Sequence, residues 1–151
     1  MSGETDLIKL YSARILELAA DIPHHGRLDA PDASVKRRAP LCGSTVTVDI
    51  RTDGETITDY AAEVKACALG QAAASIVGRH IIGCTYDQVV AARDALKEML
   101  KHDGPTPPTP FDGLEVLRPA QDYKNRHASI MLTLEATVEA MEQARAAHSC
   151  A

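Results

Sequence analysis

Polar and apolar positions alternate most sharply over residues 45–50. Val46, Val48 and Ile50 fall on one side, Thr45, Thr47 and Asp49 on the other, the pattern of a half-buried β-strand. Asp53-Gly54 is a favoured hairpin turn, and Tyr60, Ala62, Val64 and Ala66 alternate on the returning strand. Ala33 to Arg38, within an otherwise irregular polar stretch, is expected as an edge strand. On either side of the hairpin the period changes. Leu7, Leu10, Tyr11, Ile15 and Leu18 recur at helical spacing and predict an amphipathic helix over roughly residues 5–20. Ile22-Pro23-His24-His25-Gly26 ends it, since proline and glycine both break the pattern.

Downstream, Ala68 to Ile82 is rich in Ala, Gly, Ile and Val with little polar relief, which predicts a helix packed on both sides. Thr85-Tyr86-Asp87-Gln88 reads as a capping box opening a second helix, with Val89, Ala92, Leu96 and Leu100 on its apolar face. His102 to Pro110 holds four of the eight prolines and predicts an exposed loop. Ile130, Leu134, Val138 and Met141 support a last helix. The order predicts an α+β fold: a small antiparallel sheet of about three strands with helices packed on one face. The length of 151 residues fits a single domain over 1–151.

Composition narrows the function classes. The chain is 45% hydrophobic but only 3% aromatic, with no Trp, so its core is aliphatic. The net charge of −5 argues against nucleic acid, which calls for a basic face and stacking aromatics. No apolar run suits a membrane span, and Met1-Ser2-Gly3-Glu4-Thr5-Asp6 lacks the basic start of a signal peptide. The expected setting is therefore the cytoplasm. There four cysteines are reduced, which favours metal or sulfur chemistry over disulfides.

Two of those cysteines lie at edges of predicted elements. Cys42, in Ala39-Pro40-Leu41-Cys42-Gly43-Ser44, precedes the first hairpin strand. Cys67, in Lys65-Ala66-Cys67-Ala68, sits where the strand pattern gives way to the small-residue helix. Free backbone amides at such edges favour a thiolate. His127 is either the third ligand, because two thiolates and an imidazole form an accepted zinc or iron set with one open position, or a surface histidine of the last helix. Cys84 is expected to be structural, and no role falls to Cys150. His24-His25 reads as a solvated loop. Arg126 is either a cation beside the thiolates or an ordinary surface residue. No phosphate-cradling glycine loop, His-Glu-x-x-His pair or Cys-x-x-Cys occurs, and a Cys–His hydrolase lacks a supporting motif.

Taken together, these residues resemble the U-type iron–sulfur cluster assembly scaffolds, the family of IscU, SufU and the N-terminal domain of NifU, over approximately residues 5–142. Cys42-Gly43-Ser44 occupies the place of a Cys-Gly-Asp motif before a hairpin. Cys67 before Ala68 to Ser75 occupies that of a second cysteine opening an Ala/Ser-rich helix, and Gly83-Cys84-Thr85 that of a Gly-Lys-Thr-like turn. Two departures are chemical. The usual aspartate is Ser44, and no third cysteine stands in Arg126-His127-Ala128-Ser129-Ile130. Aligning on the arginine puts Ser129 there, and aligning on the histidine puts Ala128 there.

The resemblance implies a non-enzymatic scaffold or sulfur-accepting carrier. Its cargo or metal is an iron–sulfur cluster or zinc, held by Cys42, Cys67 and His127, with Cys67 or Cys42 accepting sulfur. Its implied partners are a cysteine desulfurase, apo iron–sulfur acceptor proteins and a second copy of the chain. The competing expectation is a divergent interaction protein of the same fold, zinc-bound or metal-free, that no longer assembles clusters.

Overall fold

The computed structural model describes residues 12–40 and 43–150, with side chains followed to residue 147. Leu7, Leu10 and Tyr11 of the expected first helix, and Cys42, lie outside the described residues. Three strands, β1 (Ala33–Arg38), β2 (Thr45–Thr52) and β3 (Ile57–Lys65), form an antiparallel sheet in the order β1-β2-β3. Val48 stands opposite Val35 on one side and Ala62 on the other, so the alternating residues share one face. The hairpin closes as the sequence predicts. Gly54 takes a φ of 100°, and the Asp53 carboxylate accepts hydrogen bonds from the Glu55 and Thr56 amides at 2.9 and 2.8 Å.

The opposite face is less polar in its surroundings than alternation alone suggests. Asp49 belongs to it yet has no exposed surface. Residues 24–32 run from the edge of β3 across this face to β1. The Gly26 amide donates to the Ala62 carbonyl at 2.9 Å, and the Ala62 amide to His24 at 3.0 Å. The His25 ring accepts from the Val64 amide at 3.5 Å. The two histidines thus cover a strand edge that would otherwise be free to pair with another chain. Farther along, the Asp49 carboxylate accepts hydrogen bonds from Arg27 Nε at 2.7 Å, from the Leu28 amide at 3.0 Å and from Ser34 Oγ at 2.5 Å. Burial pushes the Asp49 carboxyl upward, but the bonds from Arg27, Ser34 and Leu28 outweigh it and hold the group below the ordinary carboxylate range.

Among the described residues, four α-helices lie on the side of the other face: α1 (Ala13–Ala20), α2 (Ala68–His80), α3 (Tyr86–His102) and α4 (Lys124–Cys150); α2 and α4 pack on the sheet, α1 on α2 and α3 on α4. Ser12 caps α1 by accepting from the Ile15 amide at 3.3 Å. Both reciprocal bonds of the Thr85/Gln88 capping box open α3. Helix α4 carries the expected buried residues Ile130, Leu134, Val138 and Met141. Met131, Leu132, Ala136 and Ala140 are buried as well, because the sheet, α2 and α3 all pack against it. Before α4, residues Asp112–Asp122 form a 3₁₀ helix that the sequence reading does not include. Phe111, Leu114, Leu117 and Ala120 are all fully buried. Their spacing of three residues matches the 3₁₀ repeat, so one row of side chains meets the core.

Candidate functional site

Strand β3 ends at Lys65, and Cys67 is the N-cap of α2, with extended backbone at φ −68° and ψ 171°. Its carbonyl accepts the first helical bond, from the Gln71 amide at 2.9 Å. The side chain makes no cap bond, which leaves the half-buried sulfur to look elsewhere. It lies 3.5 Å from Ser129 Oγ. That hydroxyl, almost fully buried in α4, donates to Ser44 Oγ at 3.1 Å. A thiol from a helix start, a hydroxyl from the last helix and a hydroxyl from the start of β2 therefore meet.

Each of the three is positioned by local chemistry. The β1–β2 turn is closed at its base by the Ala39 amide on the Ser44 carbonyl at 2.8 Å and the Gly43 amide on Ala39 at 3.0 Å. Gly43 has a φ of 73°, a left-handed conformation costing about 1–2 kcal/mol for other residues. In the sequence, Cys42 stands two residues before Ser44. Gly70 lets α2 approach α4: a Cβ there would lie 2.5 Å from Ser129 Oγ and 3.2 Å from its carbonyl oxygen. Gly70 is thus a site-shaping residue that sequence reasoning missed. Its only signal is its place among the small residues after Cys67.

His127 is placed differently. Its Nε2 lies 3.0 and 3.1 Å from the carbonyl oxygens of Ala120 and Gln121 at the end of the 3₁₀ helix. Those acceptors require the proton on Nε2, which leaves Nδ1 as the one nitrogen with a free lone pair in the neutral ring. Two residues along an α-helix turn through about 200°, so His127 and Ser129 leave α4 on different sides. The cluster around Cys67 includes Ser129 and Ser44 rather than His127. Among the described residues, no three His, Cys, Asp or Glu side chains come together as a metal set. Arg126 is half-buried. Cys84 is structural, as expected: it is 3% exposed, its thiol donates to the His80 carbonyl at 3.1 Å, and burial pushes its pKa up. No helix among the described residues is long and apolar enough to cross a membrane.

A three-stranded antiparallel sheet backed by helices, with a thiol at the sheet–helix junction facing the last helix, defines an α+β thiol-bearing domain. The particular class follows from comparison. The chain matches the family model of the NifU-like N terminal domain over residues 10–130, and it belongs to that family. It is similar to the crystal structure of a nitrogen-fixing NifU-like protein (N-terminal) from Brucella abortus, at 44% identity and a TM-score of 0.91. That match covers 93% of this chain and 98% of the other. It is 28% identical to the iron–sulfur cluster assembly scaffold protein IscU of Streptococcus pyogenes serotype M1 over 92 residues, or 61% of this chain. The matched region spans 57% of that relative's length. The fold is shared with a putative iron–sulfur cluster assembly scaffold protein for the SUF system from Fervidobacterium islandicum. There the identity is 20%, the TM-score 0.80, and the coverage 89% of this chain and 98% of the other.

Proposed function

We propose that this chain is an iron–sulfur cluster assembly scaffold and sulfur-accepting carrier working through two thiolates, Cys67 and Cys42. The observation that carries the reading is the meeting of Cys67, Ser129 and Ser44; Cys42 stands two residues before Ser44 in the sequence. Thiolates are soft ligands for iron–sulfur cargo and accept sulfane sulfur by exchange. The hydroxyls adapt to either state of the sulfur, because their protons rotate. With a thiol, Cys67 donates to Ser129, which donates to Ser44. With a thiolate, the chain reverses and Ser129 turns its proton toward the sulfur.

Sulfur delivery is then a simple exchange. The Cys67 thiolate attacks the outer sulfur of a persulfide on a cysteine desulfurase, a new S–S bond forms at Cys67, the donor's S–S bond breaks, and the donor leaves as thiolate. No net oxidation occurs, and the chain needs no turnover chemistry of its own. Serine hydroxyls are weak ligands for iron or zinc, so this domain, residues 1–151, supplies an incomplete set. A contribution from His127 would come through Nδ1. Clusters normally have four protein ligands, so a second copy of the chain or an added thiol such as glutathione completes the set. Handover to an apo iron–sulfur protein follows from weak retention. The hydroxyls in place of a carboxylate and a thiol also favour a second reading, a zinc-bound or metal-free interaction protein.

Reconstitution with iron, sulfide, cysteine and a cysteine desulfurase distinguishes the two. The scaffold reading expects a persulfide mass increment on Cys67 or Cys42, a labile cluster spectrum strengthened by added thiol, and transfer to apo-ferredoxin. Cys42→Ala and Cys67→Ala should abolish the transfer. Wild-type protein that takes up neither sulfur nor cluster, yet binds zinc, would establish the second reading.

A further inference from the structure

A trough runs along the seam between α3 and α4, and its two halves differ in charge. One half is a cleft of about 650 Å³ walled by Lys97, Lys101 and His102 from α3 and by Lys124, His127 and a single carboxylate, Glu135, from α4, with Ala128 and Met131 supplying apolar surface. The other half, about 300 Å³, shares Lys97, Met131 and Glu135 with the first and continues past Arg37 and Arg93. In that second half the charges other than Lys97 have partners. Arg37 lies 2.8 Å from Glu139 and 3.8 Å from Glu135, Arg93 lies 3.0 Å from Asp94, and Glu142 accepts from the Tyr86 hydroxyl at 2.6 Å. In the first half, by contrast, none of Lys97, Lys101 and Lys124 forms an ion pair among the described residues. Lys97 and Lys101 are one helical turn apart, where like charges repel. A chain of net charge −5 thus gathers three unpaired lysines in a single groove whose one carboxylate, Glu135, lies by Arg37.

We propose that this basic half of the trough docks an acidic, extended segment of a partner protein. Its carboxylates would meet Lys97, Lys101 and Lys124, and an apolar side chain would cover Ala128 and Met131. The occupant is argued from charge complementarity and shape. An open groove with cations on both walls suits a chain that runs along it, with alternating carboxylate and apolar groups. A small anion would reach only part of it. A phosphate backbone or an anionic membrane would extend past the cleft onto a surface that is acidic on balance and repels it. The inference does not depend on sulfur chemistry at Cys67.

The test uses a fluorescein-labelled peptide of alternating glutamate and leucine, titrated with the full chain by fluorescence anisotropy at several salt concentrations. The variants are the double charge reversal Lys97→Glu/Lys101→Glu, the single reversal Lys124→Glu and the control Lys36→Glu on β1. All four lysines are exposed, so the fold tolerates the changes, and circular dichroism melts verify it. The double reversal is expected to raise Kd by about tenfold or more, with salt weakening wild-type binding, while the control stays within about twofold. Absence of wild-type binding, or equal weakening by Lys36→Glu, would overturn the proposal. So would phosphatidylglycerol vesicles that bind through Lys97 and Lys101 while the peptide does not, an outcome assigning the groove to a membrane surface.

Discussion

Gly70→Ala probes the closest approach in the site with one methyl group. The added Cβ would lie 2.5 Å from Ser129 Oγ, 2.9 Å from Ala66 Cβ and 3.2 Å from the Ser129 carbonyl oxygen. Only the first of these atoms can rotate away, and rotation would break its contacts with Cys67 and Ser44. Ala66 has no rotamer to adjust, and the carbonyl is part of α4. Overpacking of this kind costs about 1–3 kcal/mol, and the two fixed contacts put this site in the upper part of that range. Alanine returns about 1 kcal/mol of helix propensity, so the net destabilisation is about 1–2 kcal/mol. For a domain of this size that lowers Tm by about 2–8 °C. Gly113→Ala is the control, since its Cβ meets Ile76 Cγ2 at an ordinary 3.5 Å. Gly70→Ala/Ser129→Ala removes the shortest contact but not the other two, and should recover only part of the loss. The assay is thermal denaturation by circular dichroism, with urea unfolding as the second measure. A Gly70→Ala protein that melts at or above the wild-type temperature would refute the tight α2–α4 packing from which the site is built.

Two further outcomes follow from the electrostatics. Asp49 is held below its unfolded pKa, so its stabilising contribution is complete above the unfolded value, ~3.9, and is lost as pH falls through the folded value. Asp49→Asn should cost about 1–2 kcal/mol at neutral pH, because Arg27 is half exposed and water screens part of the pair. The variant should also flatten the acid limb of stability against pH, and an unchanged acid limb in urea titrations would refute the assignment. Native-state alkylation followed by mass spectrometry should label Cys67 well before Cys84, whose buried thiol is bonded to the His80 carbonyl and has its pKa raised. Equal rates at the two positions would contradict the burial difference.

Local patterns settled much of this protein in advance. Alternation at Val46, Val48 and Ile50, the Asp53-Gly54 turn and the Thr85/Gln88 capping box each depend on residues within a few positions of one another. They gave the hairpin, its buried face and the start of α3 directly. The junction at Cys67 was equally legible, because the period changes there. The spacing of three through Phe111, Leu114, Leu117 and Ala120 is also present in the sequence, but sustained over four residues it matches neither the strand period of two nor the α-helical period of about 3.6, so it signals neither element. Other features required the tertiary structure. Alternation assigns Asp49 to the outer face and carries no sign that residues 24–32 cross over and bury it. Alignment on the arginine or on the histidine puts Ser129 or Ala128 at the family's third-cysteine position, and neither says which side chain faces Cys67. Packing chose Ser129, which reaches a thiol 62 positions away and a hydroxyl 85 positions away. It also turned His127 toward the 3₁₀ helix. Hydrophobic periodicity says that a side of α4 is buried. Which side meets which neighbour depends on how α2, the sheet and the 3₁₀ helix share the space around it, and that is fixed only when all of them pack at once.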